Sequence, residues 1–582
     1  MTDARSPVPG AATLSRRGLL KRALGMGVVG ASGATLATLL AACGGSAPSP
    51  AVSTTSASTT TSTTTTASGS GAATPAAVAS PATSNATTTT APTAAASVHR
   101  GGTLTWAYTT TPLNLDPVWT QALTDGTVLA NIVQPLIRTN EKADLVPGLA
   151  TAWDASSDGL TYTFHLRPNV TFHNGKAMVA DDVLASLARA RAMGIYTWTQ
   201  ANVTSVDKVD DATVTVTLSA KVASFLARMA VLSNAIFPAD EVTAIGKNQF
   251  TKPIGTGPFM LKEWVRNDHV TLAAFPGYWD LASDGKPYPY LDQVIVKQVA
   301  EDNTKVLQVQ GGQLTGADSI PYSLYTSLQK DPRGQLVTSP QQQIQFFEIH
   351  VSTPPFDDVK VRQAMSLALD RQVFVDRATA GTAVVGNSFF PKTGQFWDPD
   401  LTLPYDLAQA KQLIAASKYP NGYSGVKIQI PSGNQLGRDN AQLAQNMWQQ
   451  VGLTMTIEEI DGSVLSANRL KGQFEVISGF QWTNGTADPD QQVEFYIVTP
   501  RFLSGYQPSQ HMLDLVQQAS QELDPAKRQQ LYYEIQTIYN QDVGGTITLY
   551  YTQSVNYLGP KVRGFVRSPL GVPLWWQTWL AA

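Results

Sequence analysis

Between Gly44 and His99 the chain carries no Asp, Glu, Lys or Arg, and 51 of these 56 residues are Ala, Ser, Thr, Pro or Gly. Such a stretch buries too little apolar surface to offset the entropy of ordering it. It predicts a disordered stalk over residues 43–100 and confines any compact fold to residues 101–582. Its Thr and Ser runs with Pro are compatible with O-linked sugars and equally with an unmodified spacer. A length of 582 residues suggests about three domains. With 43% hydrophobic and 9% aromatic residues the body can bury a sizeable core. Charged residues are 15% and show no basic excess, which excludes a broad nucleic-acid-binding role. The single cysteine, Cys43, excludes a disulfide framework and a cysteine-rich metal site.

The segment before the stalk has the layout of an export signal. Residues 1–42 hold five basic side chains and one acid, Asp3. Ser15-Arg16-Arg17-Gly18-Leu19-Leu20-Lys21 leads into an uncharged run, residues 23–42, that ends Leu40-Ala41-Ala42-Cys43. Basic residues, an apolar run and then small residues is the order of a cleaved signal. The paired arginines resemble a twin-arginine signal, and Leu-Ala-Ala-Cys resembles a lipobox in which Cys43 is lipidated and becomes the first mature residue. The alternative is a retained spanning helix, since 20 residues suffice. Gly25, Gly27, Gly30 and Gly33 weaken that alternative.

Within the body, Leu104, Trp106 and Tyr108 alternate with Thr103, Thr105 and Ala107, the period of a strand. Tyr162, Phe164 and Leu166 alternate likewise, as do Val214, Val216 and Leu218, and Val294-Ile295-Val296 reads as a buried strand. Val361, Ala364, Met365, Ala368 and Leu369 form one helical face behind the cap Asp357-Asp358. Leu531, Ile535 and Ile538 do the same behind Asp524-Pro525. Shorter helices are expected over 181–192 and 406–417. Strands and helices interleave, which gives an α/β or α+β class.

No catalytic or cofactor pattern emerges. Gly255-Thr256-Gly257-Pro258 reads as a turn, because proline follows at once and no helix opens there. His165 and His173 lack a third ligand nearby in sequence, so no metal site is expected. Asp488 is expected to start a turn or cap a helix. All twelve tryptophans lie in the body. Most belong to a core, whereas Trp397 and Trp482 are candidates for stacking on a ligand.

Several stretches together resemble the family 5 extracellular solute-binding proteins, the dipeptide, oligopeptide and nickel receptors of ABC importers. They are Leu145-Val146-Pro147-Gly148-Leu149-Ala150-Thr151-Ala152-Trp153, then Ser157-Asp158-Gly159-Leu160-Thr161-Tyr162-Thr163-Phe164-His165-Leu166-Arg167, then Val170-Thr171-Phe172-His173-Asn174-Gly175-Lys176. Ile254-Gly255-Thr256-Gly257-Pro258-Phe259 and Pro355-Phe356-Asp357-Asp358-Val359-Lys360-Val361-Arg362 follow in order. The resemblance covers residues 101–582. It implies a bilobal, type II periplasmic-binding-protein-like α/β fold with an extra third domain and a ligand cleft between two hinged lobes. Lobe I is then expected at 101–140, 253–342 and 547–582, the extra domain at 141–252 and lobe III at 343–546.

The same resemblance implies a receptor that captures a solute by closure and hands it to ABC permease subunits, with no catalytic residue, no cofactor and no metal. It would be a monomer held on the outer face of the cell membrane by a lipid at Cys43. The expected ligand contacts are Tyr108, Thr109 and Thr110 across the cleft from Trp482, Thr483, Asn484 and Gly485, with Trp397 close by. Peptide-binding members place a carboxylate for the peptide amine where this chain has Gly485. That leaves Asp488 or Glu494 as substitutes and keeps an oligosaccharide or a metal chelate open beside an oligopeptide or dipeptide. A stalk-tethered secreted hydrolase is the rival from another class, and a ligand sensor with the same fold is a third reading.

Overall fold

The computed structural model describes residues 98–120, 122–483, 486, 488–498 and 504–582. In the strand Thr161–Leu166, Tyr162, Phe164 and Leu166 are buried while Thr161, Thr163 and His165 are half-exposed. Thr213–Leu218 repeats the pattern with Val214, Val216 and Leu218 and pairs antiparallel with it, Tyr162 opposite Val216. One face buried and one face wet is what period-2 patterning produces. With Ala150–Ala155 and Val203–Asp210 these strands form a four-stranded sheet. The helix Ala180–Ala192 joins that sheet's core, placing Val183 and Leu187 with Phe164, Phe172 and Phe225. Gly159 and Gly175 take positive φ values of 68° and 85° in the Asp-Gly and Asn-Gly turns, a conformation that favours glycine.

Among the described residues the largest sheet has twelve strands. On one side Thr103–Tyr108 runs parallel to Gln293–Gln298, Trp106 beside Val296. Leu104, Trp106, Val294, Val296 and Trp575 share a second core. On the other side Tyr423–Pro431 and Leu453–Ile460 run parallel above a third core that includes Phe347, Trp448 and Ile535. Two long antiparallel strands, Gln335–Ile349 and Thr546–Leu558, lie between the two sides. Their ladder runs from Gln335 opposite Leu558 to Glu348 opposite Thr546, with a register shift between Pro340 and Ile344. The expected boundaries at 342/343 and 546/547 thus fall inside the first of these strands and at the start of the second.

The helix starts follow the side-chain chemistry of their caps. Asp358 accepts from the Lys360 N–H at the head of Val359–Leu367, and Asp524 accepts from the Lys527 N–H with Pro525 in the first turn of Pro525–Asp542. Leu407–Ala415 is capped by Asp406 and ends two residues before the expected 417. Gly255 and Gly257 let two backbones touch: a Cβ at Gly255 would stand 2.0 Å from the Ile132 carbonyl oxygen, and one at Gly257 would stand 2.7 Å from that of Asn131. The turn read from Gly255-Thr256-Gly257-Pro258 is therefore a packing joint. His165 bonds Asp154 and His173 bonds this joint, so the two histidines serve separate partners. No helix among the described residues is long and apolar enough to cross a membrane.

Candidate functional site

A cavity of about 400 Å³ opens between the N-terminal third of the body and Gln343 of the long strand Gln335–Ile349. One wall is apolar, from Leu123 and Val133 near the helix Leu123–Leu129 to Leu574 and Trp576 near the C-terminus. The opposite wall carries Gln343 of the strand Gln335–Ile349 and Gln481 of the short strand Gln481–Thr483. These strands pair, Gln343 opposite Thr483 and Gln345 opposite Gln481, and the Gln345 amide donates to Gln481 Oε1 at 2.7 Å. Thr552 donates its hydroxyl to Gln343 Oε1. Strand pairing therefore brings together residues 138 positions apart.

Most polar groups on the walls are already engaged. Gln134 Oε1 accepts from Trp279 Nε1 at 2.9 Å and from Thr256 Oγ1 at 3.2 Å, and its amide donates to the Tyr278 hydroxyl at 2.9 Å. Arg138 pairs with Asp280 at 2.8 Å and lies over the Trp279 ring at 5.0 Å. Thr120 donates to the Asp116 carbonyl at 2.9 Å. Ser233 differs: it lines the cavity, is 4% exposed, and its hydroxyl has no hydrogen-bond partner. That oxygen has almost no accessible surface, so it faces packed protein rather than the cavity.

The sequence-predicted contacts are placed as follows. Tyr108 ends the first strand and is buried, its hydroxyl 3.4 Å from Thr127 Oγ1. Burial holds that phenol well above its ordinary pKa. Thr109 and Thr110 follow it into solvent, and Lys305 Nζ donates to Thr109 Oγ1 at 2.8 Å. Trp397 is half-buried and donates its indole N–H to Asn387 Oδ1 at 2.7 Å and to the Tyr551 hydroxyl at 3.2 Å. The backbone of Trp482 pairs with Ile344, which on its other side pairs with Tyr551. The sheet thus brings the Trp397 neighbourhood to the row that holds Trp482, next to Gln481. The cavity walls include none of Tyr108, Thr109, Thr110 and Trp397. Asn484, Gly485 and Cys43 lie outside the described residues. Sequence reasoning missed Gln343 and Gln481, whose only signal is the Gln341-Gln342-Gln343 run.

The candidate substitute anchors are committed elsewhere. Asp488 accepts two guanidinium N–H bonds from Arg528, and both side chains are at most 5% exposed. Asp490 binds Arg228 and the Ser224 hydroxyl, bridging the segment 224–228 to the helix Asp490–Val493. Opposite charge from Arg228 and its hydrogen bonds hold Asp490 below the usual carboxylate range against its burial. Glu494 is exposed and not on the cavity wall. Asp488 and Arg528 line a second cavity of about 460 Å³, with Leu145, Ala227 and Phe396.

The model of the bacterial extracellular solute-binding proteins, family 5 Middle, matches residues 144–500. The chain belongs to this family. The glutathione-binding protein GsiB of Escherichia coli strain K12 is 27% identical over 441 residues, which cover 73% of this chain and 84% of the relative. The ABC transporter-associated periplasmic binding protein DppA of Helicobacter pylori, solved in complex with the peptide STSA, superposes with a TM-score of 0.72. It has 25% identity, over 83% of this chain and 99% of that one. The ABC transporter substrate-binding protein CtaP of Listeria monocytogenes shares the fold at a TM-score of 0.75 and 23% identity, over 83% of this chain and 100% of that one. The bilobal type II binding-protein fold expected of residues 101–582 is the fold of this family 5 protein. Family 5 proteins bind solutes outside the cytoplasm, and catalysis is not their role.

Proposed function

We propose that this family 5 protein is the lipid-anchored receptor of an ABC importer, and that it captures a small peptide between its lobes and delivers it to the permease subunits. The likeness to the H. pylori protein carrying a peptide, over nearly the whole body, carries this reading. Lobe I is assigned to 101–140, 253–342 and 547–582, the extra domain to 141–252 and lobe III to 343–546. Closure bends the two long strands at the register shift between Pro340 and Ile344, where the ladder is already interrupted. The ligand shifts the population toward the closed form by its higher affinity for that form. A cavity of about 400 Å³ is at the low end of the roughly 300–1,000 Å³ of small-molecule sites, which favours a short peptide over a long one. Trp482 and Thr483 continue the strand that brings Gln481 to the wall, which supports a part for them in binding, and Trp397 reaches that row through Tyr551.

Trp482→Ala is expected to weaken peptide binding more than tenfold, as loss of a tryptophan anchor does, with a smaller change in melting temperature. Titration calorimetry beside thermal unfolding reads both, and equal losses of binding and stability would assign Trp482 to packing alone. Anchoring rests on Cys43, with residues 1–42 removed and the twin-arginine route bringing the chain out. Cys43→Ala is expected to move the protein from the membrane fraction to the medium or periplasm, because the Ala/Ser/Thr stalk offers no other apolar anchor. Full retention in the membrane fraction would instead assign residues 23–42 to a spanning helix.

A further inference from the structure

The cavity beside Gln343 carries no carboxylate among the described residues of its walls, and Arg138 is the one Lys or Arg there. The neighbouring acids are all committed. Asp280 holds Arg138, Asp116 holds Arg189 in a buried pair, and Asp125 accepts the Leu113 N–H at 2.9 Å. Asp488 and Asp490 are held by Arg528 and Arg228. An ammonium group closed into this space would give up its hydration with no anion to meet it, which is strongly unfavourable.

What the walls do offer is neutral. Gln481 and Gln343 line it with side-chain amides, and Leu123, Val133, Leu574 and Trp576 present apolar surface. We infer that this cavity selects a small uncharged solute, its amide or hydroxyl groups met by Gln481, and rejects a free ammonium. Within the peptide class this means an N-acylated or cyclic dipeptide rather than one with a charged amino end. The inference rests on the reading that this cleft holds the transported solute.

Calorimetry on the full mature chain tests it with four probes: Ala-Leu-amide, N-acetyl-Ala-Leu-amide, cyclo(Ala-Leu) and maltose. The expected result is that the acetylated or cyclic dipeptide binds at least tenfold more tightly than the cationic Ala-Leu-amide. Equal binding, or tighter binding of the cation, overturns the inference, and so does a panel in which nothing binds. Binding of maltose alone upholds an uncharged solute and removes the peptide reading, which separates the two claims. One variant locates the selection. Gln481→Glu keeps the acceptor used by Gln345 and adds a charge, and it is expected to raise the affinity for Ala-Leu-amide relative to its acetylated form at least tenfold. An unchanged preference in Gln481→Glu overturns the assignment of the cavity.

Discussion

Asp488→Ala is expected to lower the unfolding free energy of the body by about 3–5 kcal/mol, the usual cost of removing one partner of a buried ion pair. The Arg528 side chain is 5% exposed and Asp488 is 4% exposed, so little solvent reaches the pair. The guanidinium lies 5.0 Å from the Phe396 ring and 5.1 Å from the Tyr532 ring. Its Nε donates to the Ala519 carbonyl at 2.8 Å. Without Asp488 these contacts would still hold the cation in place, stripped of its anion and of water. Urea denaturation of wild type and variant at neutral pH measures the difference, and a loss below about 1 kcal/mol would show the pair to be solvated. The double variant Asp488→Leu with Arg528→Met is expected to recover most of the loss, because an apolar pair of similar volume avoids the desolvation cost.

The same experiment decides what Asp488 is for. A carboxylate kept to receive a ligand amine would give a variant of near-normal stability with poor affinity for amines. A carboxylate that ties the helix Pro525–Asp542 to the start of the helix Asp490–Val493 gives the reverse. The geometry favours the second role, since Asp488 also accepts the Asp490 N–H at 3.0 Å and so sets the start of the helix Asp490–Val493. Asp490 then reaches Arg228, five residues before Ser233 on the cavity wall. Two buried carboxylates therefore tie the start of the helix Asp490–Val493 to Arg528 and to Arg228.

The sequence was most legible where one face of an element is wet. Thr161–Leu166 alternates because Thr161, Thr163 and His165 meet solvent while Tyr162, Phe164 and Leu166 do not. The helix start at Asp524-Pro525 was legible because capping is local chemistry. Thr546–Leu558 was not, although it is central to the fold. Nearly every residue of it is buried, both faces are covered, and Thr548, Thr552, Ser554 and Asn556 sit among the apolar positions, so no period survives. The candidate site was legible only in part, for a related reason. Tryptophan announces itself, and Trp482 does lie beside Gln481 in the ladder. Gln481 carries no local signal, since its place comes from a pairing register with Gln345, which is not local. Asp488 could be read as a turn residue, but its partner Arg528 lies 40 positions away.

Acid is expected to destabilise the body through His173, in the block that identifies the family. His173 Nε2 bonds the Gly257 carbonyl at 3.0 Å, so that nitrogen carries the proton, and Nδ1 accepts the Gly255 N–H at 3.3 Å. The ring is packed edge-on against Phe275 at 4.9 Å. Burial lowers its pKa to about 4 from an ordinary 6.5. A second proton would have to enter at Nδ1, against the Gly255 N–H, and place a cation in the joint between the signature block and Gly255-Gly257. The folded state therefore binds fewer protons than the unfolded chain between pH 6.5 and pH 4, and stability falls as pH drops through that window. Above pH 6.5 the contribution is complete. The full difference is about 3 kcal/mol, of which about 2 kcal/mol is expected to be lost between pH 7 and pH 5. His173→Gln keeps a donor for the Gly257 carbonyl but cannot titrate. It is expected to be less stable at pH 7 yet to lose about 2 kcal/mol less than wild type on going to pH 5. Carboxylates titrate alike in both proteins, so the difference between the two urea series isolates the histidine. Parallel series would mean that water reaches Nδ1 and that the Gly255-Gly257 joint opens in solution.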